Sequence, residues 1–114
     1  MVRGQDISER LLAFAVQVIE LLDELPETRI AAHVSGQLVR AATSAGANYE
    51  EARRAESRAD FIHKVSVSAK EASEALYWLR IIHRLRLTTT TPPLREADEL
   101  IAILVASART ARAR

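Results

Sequence analysis

Apolar residues recur along the chain at spacings of three and four, as in helices that each hide one stripe. From Asp6 to Leu25 the stripe is Leu11, Phe14, Ala15, Val18, Leu21, Leu22 and Leu25, and Pro26 ends it because proline cannot continue a helix. A second helix is expected over about 28–55, burying Ile30, Val34, Leu38, Ala41, Ala42, Ala45 and Tyr49. Its small residues from Ala41 to Ala47 let a neighbouring helix come close. A third, over about 58–86, opens on Ser57 and Asp60, the hydroxyl and carboxylate of a capping box. It carries Ile62, Val65, Ala69, Ala72, Leu76 and Leu79, with a second line of Phe61, Ser68, Ala75 and Ile82 beside it. The stretch Thr88–Pro93 breaks the pattern, placing Thr91 to cap a fourth helix over about 92–111 with Pro92 in its first position. That helix offers Leu94, Ala97, Leu100, Ile101, Leu104, Val105 and Ala108 to the core.

Four helices with short connections imply one all-α domain spanning 1–114, an up-down-up-down antiparallel four-helix bundle. The composition agrees: 114 residues, 48% hydrophobic, hold one small core, and 3 Gly and 3 Pro starve turns and sheets. The absence of Cys excludes a disulfide framework and any thiolate site. No apolar run reaches the roughly 18 residues of a membrane span, and the N-terminus lacks a signal-peptide core, so a cytoplasmic location without membrane contact is expected. If the second and third helices fold back about residue 57, Glu51 faces Lys64, Ser44 faces Glu71 and Arg40 faces Glu74. These pairs either fix the register of the two helices or are solvated pairs contributing roughly 0–1 kcal/mol each.

The net charge of +1 gives no global argument for nucleic acid, but the topology sorts charge by end. One end collects nine bases, Arg3, Arg10, Arg53, Arg54, Arg58, Lys64, Arg109, Arg112 and Arg114, against six acids. The other, with Glu96 and Glu99 among its acids, carries a net −2. Repeated around a ring of copies, Arg53, Arg54, Arg58, Arg109 and Arg112 would form a rim suited to the phosphates of RNA or DNA. The plainer account is a set of solvated helix ends. Apolar positions beyond one stripe per helix, namely Leu12, Val16, Ile19, Tyr77, Trp78, Ile81 and Ile103, point to a second buried surface, with Tyr77, Trp78 and Ile81 at an oligomer interface. In a monomer, Tyr77 and Trp78 would instead cap the core.

No cofactor or metal is expected. Asp60 and His63 alone approximate the Glu-x-x-His pairs of a dinuclear site, and His33 and His83 have no such partner. Glu71 and Glu74 share a helix face, but without a nucleophile, a Gly-rich loop or a hydrolase elbow they define no reaction, so no catalytic residue is expected.

The segments Ala42-Thr43-Ser44-Ala45-Gly46-Ala47-Asn48, Asp60-Phe61-Ile62-His63-Lys64 and Tyr77-Trp78-Leu79 resemble the four-helix-bundle family also called 23S rRNA intervening-sequence proteins, over roughly residues 34–87. The resemblance implies a homopentamer of bundles forming a barrel with a central channel. It also includes a relative, the accessory variability protein of diversity-generating retroelements, that binds a reverse transcriptase and nucleic acid. Two departures stand out: the Thr-rich connection at Thr88–Thr91, and only two lysines against 14 arginines. The function expected is a non-enzymatic structural or adaptor ring with an Arg-bearing rim; the alternative is a protein-interaction module that binds no nucleic acid.

Overall fold

A computed structural model describes residues 3–114, the backbone alone for Arg3, and contains α1 (Arg3–Leu22), α2 (Arg29–Arg53), α3 (Arg58–Leu85) and α4 (Leu94–Arg112). Their ends follow from local chemistry. Proline disfavours helical backbone in the residue before it, so α1 stops ahead of Leu25-Pro26, and its chain tightens through Asp23, Glu24 and Leu25 N–H bonds to the carbonyls three residues back. The Thr28 and Ser57 hydroxyls accept from Ala31 N–H at 3.2 Å and Asp60 N–H at 3.0 Å, capping α2 and α3. The expected cap of α4 by Thr91, with Pro92 in its first position, does not form. Pro93 forbids helix at Pro92 by the same rule, so α4 begins at Leu94 without a side-chain cap, and Pro92 is buried.

Successive helices pack against one another, and α1 meets α4 to close an up-down-up-down four-helix bundle of 47 × 25 × 19 Å. Side-chain size sets the spacing of the seams. On α2 and α3 the buried positions are rich in Ala41, Ala42, Ala45, Ala69, Ala72 and Ala75, and these two helices lie closest. There the fully buried Ser68 hydroxyl donates to the Ala45 carbonyl at 2.6 Å, a cross-helix bond that locks their register. From α1 come the bulkier Ile7, Leu11, Phe14, Val18 and Leu21, which fill the wider space toward α4, the least intimate of the four contacts. Two positions expected in the core are exposed: Ile30, in the first turn of α2 where Ala31 points inward instead, and Val105, beside the buried Leu104.

Candidate functional site

The outer surface of α2 and α3 carries a polar ladder. Lys64 Nζ donates to Glu51 at 2.6 Å. Three turns up α2, Arg40 clamps two acids of α3, donating to Glu71 at 2.9 Å and to Glu74. The expected Ser44–Glu71 pair is replaced: the longer Arg40 reaches both carboxylates one turn apart, and the Ser44 hydroxyl accepts from Asn48 Nδ2 at 3.0 Å. Glu74 also accepts from Trp78 Nε1 at 3.1 Å, and the indole sits edge-on to His33 (5.6 Å between ring centres) and Tyr77 (5.3 Å). Trp78 and Ile81 are half-buried, whereas Tyr77 is 59% exposed. On α1, Leu12 (59%), Val16 (48%) and Ile19 (45%) form an outward stripe at spacings of four and three, facing away from the core that Leu11, Phe14 and Val18 fill. The bundle leaves this stripe bare.

The Arg-bearing end is partly self-paired. Arg53 bridges to Glu50 at 3.3 Å, Arg58 donates to the Arg114 main-chain oxygen, and Arg112 donates to Ser66 at 3.3 Å. Among the described residues Arg54 and Arg109 make no ion pair, and both are exposed. Arg3, whose side chain lies outside the described residues, cannot be placed at this end. Arg10 leaves it: the guanidinium forks onto Glu96 at 2.6 and 3.1 Å and reaches Glu99 at 3.4 Å, closing the α1–α4 seam. The expected separation of Arg10 from Glu96 and Glu99 fails because the 88–93 strap runs back along α1 to Gln17 before α4 begins, so α4 starts partway down the bundle. The charge difference between the two ends is therefore smaller than the sequence implied.

Three carboxylates are held below their ordinary value: Glu50 by the Ser8 hydroxyl and then Arg53, Glu74 by Arg40 and then Trp78, and Glu24 by hydrogen bonds from Thr90 and Thr89. Each therefore binds its proton more weakly folded than unfolded. Their contribution to stability is complete above about pH 4.5, the ordinary glutamate value, and is lost as pH falls through the lower folded values. The melting temperature is expected to hold between pH 7 and 5 and to fall below about pH 4.5, with Glu74→Gln flattening that fall; equal acid slopes in the variant and the parent would refute the assignment.

Among the described residues no group of three or more His, Asp or Glu is arranged to hold a metal ion, and no helix is long and apolar enough to cross a membrane. His63 and His83 are exposed. Reading the chain missed the role of Ser68; its one signal was a hydroxyl standing in an otherwise apolar line.

A family model described as 23S rRNA-intervening sequence protein matches residues 3–106. A crystal structure of a protein of unknown function from the S23 ribosomal protein family of Bacteroides thetaiotaomicron is 32% identical and superposes with a TM-score of 0.83, over 95% of this chain and 99% of that one. No curated protein matches.

Proposed function

The chain belongs to the 23S rRNA-intervening sequence protein family, and on that premise we propose that it is a non-catalytic adaptor that assembles with copies of itself into a ring, five by family resemblance, and offers an Arg-bearing rim to RNA or DNA. The observation that carries the reading is the bare stripe of Leu12, Val16 and Ile19 on α1, with Tyr77 exposed separately on α3, the helix diagonal to it. Single exposed apolar residues are ordinary on any protein, but three of them aligned along about two turns of one helix imply a covering surface. In a cyclic assembly every copy points the same way, so Arg54 and Arg109, free of ion pairs among the described residues, would recur around one rim.

Light scattering on the parent protein is expected to give about five times the protomer mass of 12.6 kDa. Val16→Glu combined with Tyr77→Glu is expected to give the protomer mass with helicity retained, because both sites are exposed in the bundle. A monomeric parent overturns the ring and leaves the stripe to a different protein. Retention on single-stranded RNA or DNA at low salt, lost steeply as salt rises and weakened by Arg54→Ala with Arg109→Ala, tests the rim. No retention at low salt removes it.

A further inference from the structure

At the end of the bundle away from that rim, the strap between α3 and α4 borders an open cleft of about 510 Å³ lined by His83, Arg84, Arg86, Thr88–Thr91 and Pro92. No acid lines it. Among the described residues neither arginine makes an ion pair, so both guanidinium groups keep their donors available to a ligand. Glu24 lies on the other side of the strap, in a separate cleft with Gln17, Glu20 and Leu21, and its carboxylate is occupied by the Thr89 and Thr90 N–H groups at 2.9 Å each. That bond pins the strap while the cleft stays cationic.

The backbone adds a second, independent observation. Arg86 ends α3 at φ 54° and ψ 45°, the one non-glycine residue at positive φ among those described. The turn is the usual one for a helix end: Leu87 N–H bonds to the Ile82 carbonyl at 3.0 Å, and Leu87 packs on the core. Glycine is the ordinary occupant of this position, since any other side chain crowds the backbone there. Arginine is thus held where it costs stability, at a position that lines the cleft.

We propose that this cleft binds a phosphate ester, with Arg84 and Arg86 gripping the phosphoryl oxygens and the His83 ring beside them. Guanidinium forks match the spacing and charge of phosphoryl oxygens, and a volume of this size accepts a ligand as large as a mononucleotide. The site does not depend on self-assembly or on the rim.

Calorimetric titration at low salt with adenosine 5′-monophosphate, inorganic phosphate and adenosine tests it. The monophosphate and phosphate are expected to bind and adenosine to fail. Arg86→Gly is expected to weaken monophosphate binding by about tenfold or more, the effect of losing a charge-assisted contact. The same variant is expected to raise the melting temperature, because it relieves the positive φ, so lost binding cannot be put down to misfolding. Arg84→Ala is expected to weaken binding without that gain. Tighter binding of a 5′-phosphorylated oligonucleotide than of both the monophosphate and the same oligonucleotide with a 5′-hydroxyl, which the rim would hold equally, assigns the ester to a strand end, and tighter binding of the monophosphate assigns it to a free nucleotide; both support the site. Absence of monophosphate binding, equal binding of adenosine, or unchanged affinity in Arg86→Gly overturns it. Because Arg54 and Arg109 are untouched in these variants, the outcome is separable from the failure of the rim.

Discussion

Phe14→Ala is expected to destabilise the protein by about 3–5 kcal/mol, the range for removing a fully buried aromatic side chain and leaving a cavity. Phe14 is 1% exposed and heads the fully buried side chains by volume. It stands on α1, whose large residues fill the wide side of the bundle, where α1 and α4 touch least. No nearby backbone can easily move in to fill the void, because Arg10 already fixes the spacing of that seam through Glu96 and Glu99. Domains of this size hold about 5–15 kcal/mol in total, so the variant would stand near its folding threshold. Urea titration followed by far-ultraviolet circular dichroism checks it: a lowered midpoint with an unchanged slope is expected. A loss under about 1 kcal/mol would show that the wide seam collapses freely, contrary to this account.

Ala75→Leu is expected to act in the opposite sense, by overfilling. Ala75 is fully buried and lies two turns beyond Ser68 on the same face of α3, the face whose hydroxyl reaches the Ala45 carbonyl of α2. Three added carbons cannot enter a seam lined by alanines without pushing the helices apart, at about 1–3 kcal/mol. The separation would also break the Ser68 bond and draw Arg40 away from Glu71 and Glu74. Trp78, stacked edge-on against His33 across the same seam, reports the event: its fluorescence is expected to shift to longer wavelength in the folded variant. Ala32→Leu, on the exposed side of α2, is expected to leave both stability and emission unchanged. A stable Ala75→Leu protein with parent-like emission would mean that the seam has room for a leucine.

Much of the candidate site was readable in the chain because its partners are close in sequence or related by one fold-back. Lys64 with Glu51, and Arg40 with Glu74, follow from turning α2 and α3 about residue 57. The same reasoning failed for Ser44, because a register good to one turn does not say which side chain is long enough to take a carboxylate. Arg10 failed for a different reason. Its partners Glu96 and Glu99 are more than 80 residues away, and their height depends on how far the 88–93 strap descends before α4 starts.

The sequence by itself determined the four helices, most of their inward stripes, the Ser57 cap and the surplus of apolar positions that Leu12, Val16, Ile19 and Tyr77 leave bare. These rest on helical periodicity and on hydrogen bonds spanning three or four residues, which a single strand of text contains. Only the tertiary structure decided which seam is narrow and which is wide, that Arg10 closes the α1–α4 edge, and that Arg84 and Arg86 come to line one cleft beside the strap. Those outcomes depend on how high and how far apart the helices settle, which is set by the summed packing of side chains from all four and is written at no single position.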